Sequence, residues 1–225
     1  MLIVLLVAAS GCSASRSPSG LAVRDRILPA TCWDRRPAGA VVDVLVLHFS
    51  SAVATQPDDP YNPDHIIEIF KQARVSAHYM IDRRGEVLRL VQEADRARHA
   101  GRGEMPHGDK RKDVLNDTSL GIELVGTGTF EEMRGVLGGG FTRDEYERIA
   151  KSYGRGFTDE QYASLSALID RIRLGEVGRR IAFDRCHIIG HSEYSRPGTR
   201  DDPKHDPGAL FDWKRIGLGD PCRLK

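Results

Sequence analysis

The chain has 225 residues, a formal net charge of +1 and 29% charged residues. This length suits one domain, and the balanced charge gives no electrostatic reason to expect a nucleic acid or a strongly acidic partner. Hydrophobic residues make up 40% of the sequence, which is enough for a buried core.

The first residues differ from the rest of the chain. Residues 2–9 are an apolar run, followed by small residues and Cys12. The run is far shorter than the roughly 20 residues of a spanning helix and resembles the core of a signal peptide. The stretch Ala9-Ser10-Gly11-Cys12 resembles the lipobox of bacterial lipoproteins, and Ser13 after the cysteine resembles those sorted to the outer membrane. This implies a periplasmic protein with a lipid anchor on Cys12; a cleaved signal without lipid and a cytosolic tail are the alternatives.

Two parts of the chain are therefore expected. Residues 1–20 form a lipoprotein-type signal and a Ser-rich linker, and residues 21–225 form the folded domain.

Hydrophobic runs with many β-branched residues predict several strands. Two of these runs, residues 76–82 and 86–91, flank Arg83-Arg84-Gly85 and predict a hairpin. The polar stretch 101–116 predicts a long loop. The predicted strands cover residues 41–49, 76–82, 86–91, 119–126 and 185–190.

Capping patterns predict three helix starts. Asn62 is a suitable N-cap with Pro63 at the first helical position, and the apolar spacing continues to about residue 73. The motif GFTRDEY is echoed sixteen residues later by GFTDEQY, and each contains a capping box. The helix that starts at GFTDEQY is predicted to run to about residue 173. The region 127–156 is interpreted as an insertion.

Strands that alternate with helices, together with a hairpin, predict an α/β domain with a central mixed sheet flanked by helices. His48, Glu123 and His191 lie at or near the ends of three predicted strands. Sites in α/β sheets gather at the carboxyl ends of the strands, so these side chains are expected to lie close together.

The histidines and a carboxylate predict a metal site. His48, His191 and Asp206 make a His-His-Asp set, a donor combination that suits zinc. The rival pair His187 and His191 is four residues apart on a predicted strand, which separates them by roughly 13 Å. His205 is a second rival ligand.

Taken together, seven motifs resemble the zinc N-acetylmuramoyl-L-alanine amidases of the amidase-2 family, which are related to peptidoglycan recognition proteins. Their order matches the family across residues 41–213. The motifs are VLHFS, VSAHYMIDRRGEV, RHAG, NDTSLGIELVG, FTDEQYASLSALI, IIGHSEYSRPG and PKHDPGALFDW.

This resemblance implies hydrolysis of the amide bond between N-acetylmuramic acid and L-alanine, in peptidoglycan or muropeptides, by residues 21–225. It implies a Zn²⁺ ion bound by His48, His191 and Asp206. It further implies Glu123 as the acid/base residue and Lys204 as a cation that stabilises the intermediate. His78 and His99 are expected to contact substrate or to support the site.

The alternative function is a recognition module that binds peptidoglycan without cutting it. Relatives of that kind have lost a metal ligand, whereas this sequence has the complete set, which favours cleavage. A serine hydrolase is disfavoured because no G-x-S-x-G motif is present.

The cysteines predict a disulfide and give no indication of a cysteine-ligated zinc ribbon. No Cys-x-x-Cys pair occurs among the four cysteines. Cys32 and Cys222 both lie in terminal segments and are hypothesised to pair in an oxidising compartment. Cys186 precedes an apolar run and is interpreted as a buried structural cysteine. The extra residues 195–202 have no predicted role beyond a possible wall of the groove.

Overall fold

A computed structural model describes residues 20–105, 111–194 and 204–222. A six-stranded sheet has the order β1-β5-β4-β7-β3-β8, and β2 pairs separately with β6. The strands are Val23–Asp25 (β1), Trp33–Arg35 (β2), Val44–Ser50 (β3), Tyr79–Ile81 (β4), Val87–Arg89 (β5), Asp95–Ala97 (β6), Ser119–Val125 (β7) and Ile188–Gly190 (β8).

The predicted mixed sheet is confirmed. The hairpin strands β4 and β5 are antiparallel, while β7 is parallel to both β4 and β3. The central strand β7 is buried along its whole length, as expected for a strand covered on both faces.

The described residues include five α-helices, and four of them start at a residue whose side chain caps the helix. Asn62 accepts a hydrogen bond from the amide of Asp64, and complete capping boxes start α4 and α5, as predicted. A third capping box, which sequence reasoning missed, starts α3. The helices are Pro63–Ala73 (α1), Leu115–Thr118 (α2), Phe130–Leu137 (α3), Arg143–Tyr153 (α4) and Asp159–Leu174 (α5).

The helices divide the core into layers. Leu45 and Leu47 of β3 pack in the same cluster as Leu165 and Leu168 of α5. Side chains alternate between the faces of a strand, so His48 points to the opposite face. That opposite face is where the site lies.

Residues 127–156 leave the sheet after β7 and return beside it. This segment holds α3 and α4. Its two ends meet, since a Cβ added to Gly126 would lie 2.9 Å from the carbonyl oxygen of Gly156. The predicted insertion is therefore an excursion that begins and ends at the same place.

The hypothesis that Cys222 pairs with Cys32 was wrong. Cys222 is bonded to Cys186, with the Cα atoms 4.8 Å apart. Cys32 is a free thiol and is fully buried in the apolar cluster around α1. Cys186, interpreted as a buried structural cysteine, is partly exposed and takes the place of Cys32 in the disulfide.

Within the described part of the chain, no helix has the length and apolar character to cross a bilayer. The predicted lipid site Cys12, the linker up to residue 19 and the extra residues 195–202 lie outside the described residues.

Candidate metal centre

Two neighbouring strands bring the first pair of site residues together. His48 of β3 and Glu123 of β7 are direct partners in the parallel register. Because partners in register point to the same face, both side chains project into the same space on the side opposite α5. Both are buried, with 2% and 8% of their surface exposed.

His191 and Asp206 complete a cluster with His48. His191 directly follows β8, which lies beside β3. One Asp206 oxygen, Oδ2, is 2.7 Å from Nδ1 of His48 and 3.1 Å from Nδ1 of His191. One donor atom from each of the three residues lies within 4.8 Å of the others. Two imidazole nitrogens and a carboxylate oxygen at this spacing fit a zinc ion.

The charges in this cluster favour an anionic Asp206 and a neutral His48. Burial alone would raise the pKa of Asp206, but His191 and His48 hold that pKa well below its ordinary value. Burial, His191 and the cationic Lys204 lower the pKa of His48, and only Asp206 opposes them. A carboxylate and neutral imidazoles are the protonation states that metal binding requires.

Glu123 is electrostatically distinct from Asp206. Burial, with a further contribution from the Asp206 charge, raises the pKa of Glu123 to about 8. Its Oε2 atom has no hydrogen-bond partner among the described residues. A buried carboxyl with an unsatisfied oxygen beside a candidate metal site is suited to handling a proton.

The cluster opens into a cleft of about 280 Å³. Lys204 and His205 form one wall, and Phe49 with Val136 of α3 supplies apolar surface. A larger cavity of about 500 Å³ lies near the C-terminal end of α5 and is lined by none of the predicted site residues. The chemistry of the side chains, and not cavity size, therefore identifies the site.

The loop that carries Asp206 is attached to α3. Glu132 accepts hydrogen bonds from the amide of Ala209 at 2.8 Å and from the amide of Thr129 at 2.7 Å. Gly208, which precedes Ala209, has a φ of +81°, and a Cβ added to it would lie 2.7 Å from the Glu132 carboxylate. Glu132 therefore caps a helix and holds the aspartate loop at once.

The two remaining predicted histidines have different surroundings. His99 lines the cleft, and its Nδ1 lies 3.0 Å from Nε2 of His48. His78 is fully buried outside the cleft, accepts a hydrogen bond from the amide of Gly121 and packs against His99. Of the two roles expected for His78, this position behind His99 favours support of the site over substrate contact.

The rival ligands lie outside the cluster. His187 bonds Asp184 on the surface, and it comes before β8. His205 lies against Gly135 on the cleft wall.

Three residues near the site were missed by sequence reasoning. Asn116 and Ser119 contact the segment around His99, and Glu132 holds the aspartate loop. Only Glu132 had a local signal, because Thr129 and Glu132 have the spacing of a capping box.

Comparisons with known proteins identify the family. The sequence profile of the N-acetylmuramoyl-L-alanine amidase family matches residues 37–209. The 1,6-anhydro-N-acetylmuramyl-L-alanine amidase AmpD of Haemophilus influenzae is 31% identical over 210 residues, which cover 87% of this chain and 92% of the relative. AmpD of Escherichia coli is 29% identical over 209 residues, covering 88% and 92%.

Solved structures of AmpD proteins share the fold of this chain. A selenomethionine AmpD structure is 26% identical, has a TM-score of 0.56, and covers 86% of this chain and 93% of that one. AmpDH3 from Pseudomonas aeruginosa in complex with an anhydromuramic pentapeptide is 25% identical with a TM-score of 0.55, covering 81% of this chain and 62% of that one.

Proposed function

The chain belongs to the N-acetylmuramoyl-L-alanine amidase family, and from this premise we propose that its cleft hydrolyses the muramic acid–L-alanine amide bond with a zinc ion held by His48, His191 and Asp206. The amidase activity follows from the family. The zinc ion and the roles of individual residues are the proposal. The observation that carries it is the approach of the three donor atoms to within 4.8 Å of one another.

A zinc ion bound there would supply Lewis-acid chemistry by polarising the scissile carbonyl and lowering the pKa of a water molecule. Glu123 is the proton carrier in this proposal: it accepts a proton from the attacking water and returns it to the leaving amine. The bound zinc ion would favour the ionised carboxylate that accepts this proton. Burial raises the pKa of Glu123, which helps the carboxyl to hold the proton until the leaving amine takes it.

Lys204 is proposed to stabilise the negative charge that develops on the carbonyl oxygen. It lines the same cleft and acts electrostatically on His48. Removing one such group commonly slows turnover by about 100- to 1,000-fold. Lys204→Ala should show this loss, and Lys214→Ala, an exposed lysine ten residues later, should not.

We propose an anhydromuropeptide as the substrate, because the AmpD relatives are named for the 1,6-anhydro sugar and AmpDH3 was solved with an anhydromuramic pentapeptide. The test incubates the protein with paired muropeptides that differ only in the anhydro or reducing sugar. Mass spectrometry then measures the release of the stem peptide, before and after chelation and zinc addition. Preferential release from the anhydro form is expected, while equal release from both would contradict this preference.

The roles of the residues require separate variants. Glu123→Gln should keep one zinc per chain and lose about 100- to 10,000-fold in turnover, which is the usual contribution of an acid/base group. Glu160→Gln, on the exposed side of α5, is the matched control. His191→Ala should lose both zinc and turnover. A zinc-loaded wild-type protein that bound muropeptides but released no peptide would instead indicate a recognition module.

We further propose that the protein is exported and anchored to the outer membrane through Cys12. The sequence around Cys12 supports this, as does the Cys186–Cys222 disulfide, since disulfides persist in oxidising compartments. Cell fractionation of wild type and Cys12→Ser tests it. The wild type should appear in the outer-membrane fraction and the variant should not; identical distribution would contradict the anchor.

A further inference from the structure

A chain of side-chain contacts leads away from His48. Its Nε2 lies 3.0 Å from Nδ1 of His99, and Nε2 of His99 lies 3.1 Å from the hydroxyl oxygen of Ser119. The hydroxyl of Ser119, which is fully buried, donates to the carbonyl of Leu115. These three contacts form a relay from a proposed metal ligand to the backbone.

The carbonyl at the end fixes the direction of the relay. A carbonyl oxygen can only accept, so the Ser119 hydroxyl donates to Leu115 and its oxygen is left to accept from Nε2–H of His99. Neutral His99 then has a bare Nδ1, which accepts from Nε2–H of His48. The remaining nitrogen of His48, Nδ1, is left with a free lone pair on the side of Asp206.

His191 is oriented in a similar way by Ala100, the residue after His99. Its Nε2 donates to the carbonyl of Ala100 at 2.9 Å, which leaves its Nδ1 free. The Asn116 side-chain oxygen accepts from the amides of both His99 and Ala100, at 3.0 and 2.8 Å. One carboxamide therefore holds the two-residue segment that contacts both histidines.

These contacts oppose a competing arrangement. In the metal-free protein, Asp206 Oδ2 is also close enough to hold a proton on Nδ1 of either histidine. A proton there would occupy the lone pair needed by the metal. The acceptors on the Nε2 side favour the opposite tautomer, in which Nδ1 is available.

We propose that His99 is a positioning residue that sets the tautomer and ring orientation of His48 for metal binding, and that Ser119 does the same for His99. This rests on the proposed function, because it takes His48 as a ligand. The side chain of His99 is tightly placed, since a Cβ on Gly121 would lie 2.6 Å from its ring. Partners of this kind typically change metal affinity by about 10- to 100-fold.

Two substitutions separate the hydrogen bond from packing. His99→Phe keeps a planar ring and removes the acceptor, whereas His99→Asn places an amide oxygen near the position of Nδ1 and keeps an acceptor. Ser119→Ala removes the far end of the relay with little change of shape. His65→Phe, on the surface of α1, is the control for a change of histidine away from the site.

The measurement is zinc affinity by competition with a chromogenic chelator, with circular dichroism as the check on folding. His99→Phe should bind zinc about 10- to 100-fold more weakly, His99→Asn should recover most of the loss, and His65→Phe should match the wild type. Long-range proton–nitrogen NMR spectra of the zinc-loaded wild type should place the protons of His48 and His99 on Nε2.

Unchanged zinc affinity in folded His99→Phe would overturn the proposal, as would a proton on Nδ1 of His99 in the zinc-loaded wild type. If His99→Phe does not fold, Ser119→Ala decides: weaker zinc binding with a changed His99 tautomer supports the relay, and no change in either overturns it. A wild-type protein that binds no zinc would refute the proposed function itself, which distinguishes the two failures.

Discussion

Replacing Glu123 with glutamine should change how the stability of the metal-free protein depends on pH. The pKa of Glu123 is raised from 4.5 to about 8, chiefly by burial. A group whose pKa is higher in the folded state stabilises the protein below its unfolded pKa. That contribution is lost as the pH rises toward the folded value.

The size of this effect follows from the pKa values. Between pH 5 and pH 8 the unfolded chain has lost this proton while the folded chain retains much of it. At about 1.4 kcal/mol per unit, these three units set an upper limit of about 4 kcal/mol on the free energy of unfolding that is lost. Glutamine has nearly the same shape and does not titrate, so Glu123→Gln should escape this loss.

The assay is urea unfolding of both metal-free proteins at pH 5 and pH 8. Histidines and other carboxylates titrate in the same range, but they occur in both proteins and cancel in the difference. Glu160→Gln, an exposed change, should behave as the wild type does. Zinc should reduce the difference, because a nearby cation favours the charged carboxylate. Equal pH dependence of wild type and Glu123→Gln would refute the argument that burial keeps Glu123 protonated.

Other substitutions test the core, the disulfide and the capping boxes by chemical or thermal unfolding. Leu165→Ala, at a fully buried position of α5, should cost about 2–5 kcal/mol, while Leu174→Ala, 74% exposed on the same helix, should change stability by less than about 0.5 kcal/mol. Cys222→Ser removes a bond to Cys186 that spans 36 residues and should cost about 3–4 kcal/mol; a reductant should destabilise the wild type similarly and leave the variant unchanged. Thr129→Ala should cost about 1 kcal/mol by removing the cap of α3, and no loss would show that this cap is unnecessary.

Strong local patterns made the central elements of the fold predictable. The β-branched run at β3, the hairpin of β4 and β5, and the capping boxes of α4 and α5 are all encoded within a few neighbouring residues. The three-residue strands β1, β2 and β6 could not be found in this way. Each exists only because of its pairing with a distant partner, such as Trp33 with Ala97.

The site was also predictable in part: residues at strand ends could be placed, and residues that act through loop contacts could not. His48, Glu123 and His191 could be placed together because parallel strands end at one edge of a sheet. Asn116 and Ser119 have no such signal, because their importance comes from contacts with His99 that depend on the path of the loop. The disulfide prediction was wrong for a related reason: position in the sequence does not say which cysteines the folded chain brings together.

The meeting of Gly126 with Gly156 has a consequence for how this enzyme can vary. A segment whose ends are in contact can be exchanged for a shorter or longer one without moving the strands from which it departs. Yet this segment supplies Val136 to the cleft and Glu132 to the aspartate loop. Exchanging residues 127–156 would therefore change the cleft wall while β3, β7 and β8 keep His48, Glu123 and His191 in place, but a replacement segment must still supply an acceptor that holds the loop of Asp206.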